Sequence, residues 1–343
     1  MFVVAPLGGY LADRLNKKVI LITTQTIFAL CALTLSIAVW TNHVTYEMIL
    51  GVALIVGCAA SVDMPTRQSM IAQVVSQEEI PQAIPLNAGT FNTARMVGPA
   101  LGGWVLERYG PGTCYFVNAL SFLAIIVAVA LIRSDLRSNS VRTASLRETL
   151  LEGIRYVFQH PAFRWCVVMV MTTSVFGFFY LALLPALAAS SLGVGKQGLG
   201  LLMTATGVGA LLGILTLAVF ITRLKRGWMI SLAMLGFGIA LLSLSFVKSF
   251  GLAFLCLLVM GMCGIIQMAG TNATLQYSSP PDLRGRVVAV HVWALQGLNP
   301  FGALFFGWFS ERFGIPVAFA FGGAVVLLMA MLVVFFSKAV RSL

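Results

Sequence analysis

A helix must run for about 20 apolar residues to cross the hydrocarbon core of a bilayer, and this chain supplies such runs from one end to the other. They fall at 19–40, 47–64, 83–106, 113–132, 164–190, 198–222, 228–247, 251–275, 287–309 and 316–337, with a shorter one at 1–12. Soluble domains carry roughly 25% charged residues, whereas here only 10% of 343 residues are charged and 59% are hydrophobic. The mean hydropathy is +0.96. These values predict an all-α integral membrane protein with eleven transmembrane helices, the first incomplete.

The longest polar stretch, Arg133 to His160, separates five helices from six and holds five arginines. Its segment 146–158 is amphipathic. The net charge of +11 comes from basic residues spread among short loops. No basic face of the kind that binds nucleic acid is formed. Lys and Arg gather on the cytoplasmic side of membrane proteins. With the segment 13–18 placed inside, 17 of the 22 Lys and Arg residues are cytoplasmic; Arg108, Lys196, Lys248 and Arg312 lie outside and Arg95 lies within a helix.

An internal repeat relates the two sides of the linker. Gly98-Pro-Ala-Leu-Gly-Gly-Trp-Val-Leu-Glu-Arg-Tyr-Gly110 recurs imperfectly as Gly302-Ala-Leu-Phe-Phe-Gly-Trp-Phe-Ser-Glu-Arg-Phe-Gly314, at a constant offset of 204. The same offset sets Glu78 over Asp282. Both copies run from a cytoplasmic loop through a helix to an outer Glu-Arg-aromatic-Gly turn, so the halves are parallel repeats.

Between the first two apolar runs lies Gly8-Gly-Tyr-Leu-Ala-Asp13-Arg14-Leu-Asn16-Lys17-Lys18, with four charges in six residues. So tight and polar a hairpin cannot lie in hydrocarbon. Asn16 is expected to take a left-handed backbone there, which Asn tolerates better than other non-glycine residues. The segment resembles the signature loop between helices 2 and 3 of the major facilitator superfamily. Asn16 replaces the loop's second glycine and Lys17 its usual arginine. The resemblance implies two pseudo-symmetric six-helix bundles, of which 1–132 is the N-terminal one, 133–162 a cytoplasmic linker and 163–343 the C-terminal one. By that comparison the first of twelve helices is missing, through start-site choice or a truncated gene.

The resemblance also implies a conformational switch of Asp13, Arg14, Lys17, Asp63 and Arg67. Asp63 would pair with Lys17 or Arg14, and Asp13 would lie at the N-terminal end of the helix starting near Val287. An ordinary helix-end ion pair, worth about 0–1 kcal/mol, is the plainer alternative.

Arg95, Gly98, Pro99 and Gly102, followed by Gly103, lie at helical spacings that place the first four on one face. Glycines permit close helix approach and the proline bends the helix. The run is similar to the fifth-helix antiporter motif of exporters; a kinked packing seam without a coupling role is the alternative. A central arginine costs about 2.5–3.5 kcal/mol on insertion scales. Arg95 is therefore expected to face a wet cavity, or to bond carbonyls freed by Pro99. Asn92, Arg95, Phe178, Tyr180, Gln267 and Asn272 are the candidates for a substrate cavity.

Six cysteines sit mostly in apolar runs without a Cys-x-x-Cys pair, and three histidines are scattered. No metal site, disulfide framework or cofactor is implied. Gly193-Val-Gly-Lys-Gln-Gly198 spells a dinucleotide fingerprint but falls in a turn between membrane helices. No hydrolase or phosphate-loop motif is present, so the chain is not read as an enzyme. No acidic residue lies in the middle of an expected helix; Asp63 is the nearest titrating candidate and His291 a weaker one.

From Pro65 through Asn87, at Phe91–Arg95, Asn118–Phe122 and Asp282–Arg286, the chain resembles the exporter branch that includes enterobactin and macrolide efflux proteins. The resemblance implies a secondary exporter in the bacterial inner membrane, monomeric, with the lipid bilayer, a siderophore-like or drug-like small molecule and protons as its partners. A truncated, inactive remnant and the membrane subunit of an ATP-driven transporter are the competing readings.

Overall fold

The computed structural model describes residues 16–74, 79–132, 146–220 and 225–337. They form helices α1 (Lys17–Trp40), α2 (Tyr46–Val74), α3 (Ile80–Leu131), α4 (Leu146–Gln159), α5 (Pro161–Phe176), α6 (Tyr180–Ser190), α7 (Lys196–Phe220), α8 (Arg226–Leu244), α9 (Phe250–Ser278), α10 (Pro281–Val292), α11 (Asn299–Phe313) and α12 (Ile315–Phe336). A π-helical turn, Trp293–Gly297, follows α10. Among the described residues, nine segments are long and apolar enough to cross a membrane, from Lys17–Trp40 to Ile315–Phe335. The expected run 1–12 lies outside the described residues. The runs 83–106 and 113–132 are both carried by α3, as two helices meeting at Gly110, where φ is 79° and ψ 174°. Large apolar side chains such as Leu54, Leu131, Leu215, Leu304 and Phe335 stand exposed along these helices, as a lipid-facing surface requires.

The chain divides into two compact units, Met1–Phe91 with Trp104–Ala144, and Asn92–Gly103 with Ser145–Leu343. In the first, α1 packs on α2 and buries Leu21, Phe28, Ala32 and Leu35 at helical spacing. The Ser36 hydroxyl donates to the Gly112 carbonyl across 2.8 Å, and the Trp40 indole lies against Gly112 where a Cβ would stand.

In the second unit, α9 runs between α7 and α8, and α12 lies along α8. The α7–α9 seam is built on glycine. A Cβ at Gly209 would strike the Leu258 carbonyl, one at Gly261 the Thr206 carbonyl, and one at Gly213 the side chain of Ile265. Removing Cβ at these points lets the two backbones touch, the main way helices attract one another where lipid supplies no hydrophobic drive. Around α5, α6, α11 and α12 the core is aromatic. Phe179 stacks on Phe306 with centroids 3.7 Å apart, and Phe309 on Phe321 at 5.4 Å. The amphipathic linker segment is helical as expected; α4 packs on α10 and α5 and buries Val157.

Three local expectations are corrected. Asn16 is not left-handed: φ is −64° and ψ 117°, and its side chain accepts from the Lys18 amide at 2.9 Å. It is the N-cap of α1, the other position Asn favours. The run 164–190 is two helices, because the Gly177 and Phe178 amides both turn onto the Thr173 carbonyl. The run 287–309 is likewise broken, by the π-helical turn ahead of Pro300, whose missing N–H and ring cannot fit a helix interior.

Candidate functional site

Asp63 lies deeper than a helix-end pair would. Its Oδ1 accepts from Thr24 Oγ1 and from Gln25 Nε2, both at 2.7 Å, and its Oδ2 faces Arg67 Nη2 at 3.2 Å. Thr24 is seven residues beyond Lys17, about 10 Å along the helix at 1.5 Å per residue. The side chain is 10% exposed, and three donors from two helices hold its carboxylate. Arg67, one turn further along α2, is half exposed and so links the buried acid to the surface. Lys17 opens α1 and is buried. Asp13 and Arg14 lie outside the described residues.

Lys18 has a part that sequence reasoning missed. Its Nζ donates to the carbonyls of Ala130 and Ile132, at 2.7 and 2.9 Å. These belong to the C-terminal end of α3, where carbonyls lack helical partners and the macrodipole favours a cation. Lys18 therefore fastens one helix start to another helix end within the first unit.

Of the antiporter-like run, Gly103 makes the close approach. A Cβ there would come 2.9 Å from Gly200 Cα and 3.0 Å from the Lys196 carbonyl oxygen, at the start of α7. At Gly98 and Gly102 a Cβ would meet nothing within 4 Å, so the tight seam is not on the face expected from their spacing. The side chains of Asn92, Arg95 and Pro99 lie outside the described residues.

The remaining candidates divide into enclosed and accessible groups. Gln267 is fully buried and ties α9 to α5, donating to Thr173 Oγ1 at 2.9 Å and to the Met169 carbonyl at 3.3 Å. Tyr180 is buried and Phe178 partly so, both against Phe237. Asn272 is accessible: with Ala269, Ala273, Gln276 and Tyr277 it lines an open groove of about 390 Å³. Gln276 Nε2 donates to Asn272 Oδ1 at 3.1 Å, and the Arg226 guanidinium stands 4.3 Å over the Tyr277 ring. Amides and an aromatic face of α9 are thus grouped with a cation from the start of α8, a surface suited to an amphipathic molecule. On the linker side, Glu152 of α4 pairs with Arg286 of α10. Among the described residues no group of three His, Cys, Asp or Glu is placed to hold a metal ion.

A buried acid between two membrane helices, a glycine seam and a polar groove make a transporter's inventory, and comparison with known proteins agrees. The family model described as "Transmembrane secretion effector" matches residues 1–342. The chain is 24% identical to the staphyloferrin A transporter of Staphylococcus aureus over 97% of its own length and 84% of the relative's. It is 24% identical to the multidrug efflux pump Tap of Mycolicibacterium fortuitum, over 98% and 84%. The crystal structure of a D-xylose-proton symporter superposes with a TM-score of 0.79 at 15% identity, covering 100% of this chain and 86% of that one; at such identity the likeness speaks for the fold. The chain is accordingly a multi-pass membrane transporter, not an enzyme, and belongs to the transmembrane secretion effector family of the major facilitator superfamily.

Proposed function

We propose that the protein is a bacterial inner-membrane secondary exporter that moves a mid-sized amphipathic molecule, siderophore-like or drug-like, out of the cytoplasm by alternating access in exchange for protons. The observation that carries export is likeness along nearly the whole chain to a siderophore transporter and a multidrug efflux pump. Asp63, buried under Thr24, Gln25 and Arg67, supports a carboxylate switch that acts with Asp13, Arg14 and Lys17 of the preceding loop. Intramembrane acids are costly to bury and typically mark ion or substrate pathways. Arg95, Gly98, Pro99, Gly102 and Gly103 form the coupling helix in this reading. Asn272 offers the accessible polar contact, and Asn92, Arg95, Phe178, Tyr180 and Gln267 are the further cavity residues of this reading.

The test is efflux of ethidium from pump-deleted cells expressing the full chain, with a catecholate siderophore run in parallel. Export of either that collapses on adding a proton uncoupler is the expected result. Loss of neither substrate from the cells would remove the exporter reading, and export that survives the uncoupler would remove proton exchange in favour of an ATP-driven partner.

A further inference from the structure

His291 lies on α10, two residues ahead of the π-helical turn, and is 3% exposed. Its Nε2 stands 3.0 Å from Thr271 Oγ1 on α9. That hydroxyl is 2.8 Å from the Gln267 carbonyl and 3.0 Å from the Met268 carbonyl. A threonine hydroxyl has one hydrogen, and with it donated to one of these carbonyls Thr271 accepts from the imidazole. In that arrangement the ring is the neutral tautomer protonated at Nε2, and the Nδ1 lone pair points into the protein. Among the described residues that nitrogen has no partner.

Among the described residues, the elements packed against α10 offer nothing to hold a charge on the ring. On α4, Glu152 is paired with Arg286, Arg155 is exposed, and Tyr156 stacks on His160 and Phe163. On α5, Arg164 is exposed and Cys166 sits in an apolar cluster with Val287, Val290 and Ala294. On α9, Tyr277 lies under Arg226, and Cys263 belongs to the other apolar cluster. The π-helical turn carries no titratable residue. A second proton on this ring would add a donor and a charge with no acceptor, which a buried site does not tolerate. The neighbouring backbone is the one place in the helix already off α-geometry: Ser174 Oγ caps the Leu295 carbonyl at 2.6 Å inside the π-helical turn. Such turns within helices are found frequently at functional sites.

We propose that His291 is a proton-binding site of the transporter, its Nδ1 taking a proton from water when the α9–α10 seam opens and returning it when the seam closes. Uptake forms one N–H bond and turns the neutral ring into a cation; release reverses both, with no other bond changed. The packed seam accepts the neutral ring alone, so protonation and opening are linked. The coupling role rests on the proton-exchange reading above; the proton site itself does not.

The chain has three histidines, so the full-length protein, labelled with ring-15N histidine in lipid bilayers, gives a spectrum simple enough to assign. His291→Gln removes one signal; should that variant fail to fold, His43→Gln and His160→Gln, both at exposed positions, assign the third by elimination. At about pH 8 the His291 ring should be protonated at Nε2 alone. Only below about pH 5, under the range where an unburied histidine titrates, should Nδ1 gain its proton. Thr271→Val should alter the tautomer ratio without moving the other two signals. A His291 ring that stays neutral over the whole range would overturn the proposal, even if ethidium efflux is abolished by an uncoupler. A ring that titrates while efflux ignores the uncoupler would uphold the proton site and remove the coupling reading instead.

Discussion

Gly110 and Gly314 stand 204 positions apart and share one backbone geometry, φ 79° and ψ 174° in the first, φ 88° and ψ 153° in the second. Each follows a Glu-Arg-aromatic triplet and each breaks a helix. The repeat read in the letters is therefore a repeat in the chain's path, at a conformation L side chains avoid. Gly314→Ala should lower stability by about 1–3 kcal/mol, the cost of a side chain in this essentially glycine-only region of positive φ and extended ψ. Gly307→Ala, in helical backbone with nothing within 4 Å of its Cβ, should be neutral or stabilising by about 0.5–1 kcal/mol. Thermal unfolding of the two variants in one detergent checks the contrast.

The Asp63 site predicts an asymmetric rescue. Asp63→Leu strips Gln25 of its acceptor, while Thr24 can still donate to the Leu21 carbonyl, 3.1 Å away. Gln25 is fully buried with its Oε1 already unpartnered. The single change should therefore cost about 1–3 kcal/mol for the bared amide. Asp63→Leu with Gln25→Leu should recover most of it, because replacing both partners by apolar groups can be nearly neutral. Melting temperatures of the single and double variants decide the matter.

At Gly103 the obstacle is backbone on both counts, Gly200 Cα and the Lys196 carbonyl. Neither can move aside as a flexible side chain would. Gly103→Val should destabilise by about 1–3 kcal/mol, the usual range for overpacking. Gly98→Ala, whose Cβ has open space, should be tolerated. Folded yield in membranes, read by size-exclusion of a fluorescent fusion, separates them.

The linker helix should depend more on shape than on charge. Glu152 and Arg286 side chains are 56% and 29% exposed. A double-mutant cycle to alanine should give a coupling below about 1 kcal/mol, as for other exposed pairs. Gly153→Val should cost more, about 1–3 kcal/mol, because its Cβ would come 2.8 Å from the Arg286 carbonyl. Measuring both by thermal unfolding tests the order.

Hydropathy made the spans legible because burial in lipid acts on every residue of a run at once. The breaks at Gly177–Phe179 and Trp293–Leu298 escaped it, since both sides of each remain apolar and a local rewinding changes no residue's hydropathy. Asn16 was misread because Asn suits both a left-handed turn and an N-cap, and the helix start decides between them. Lys18 could not be assigned from the sequence, as its carbonyl partners lie 112 and 114 residues away. Gly103 was named within its run, but which glycine meets a neighbour depends on where α7 begins. The polar partners of Asp63 had no signature at all: Thr24 and Gln25 read as ordinary polar residues in an apolar helix.

The interlocked backbones of α7 and α9 carry a mechanical consequence. Where Gly209 and Gly261 admit a carbonyl from the opposite helix, sliding one rod past the other would drive oxygen into carbon within a fraction of an ångström. Packed interiors of this kind have discrete arrangements and do not deform gradually. The two helices form one stiff plank, and bending is left to the joints whose hydrogen-bond ladder is already rewound, Gly177–Phe179 and the turn beside His291.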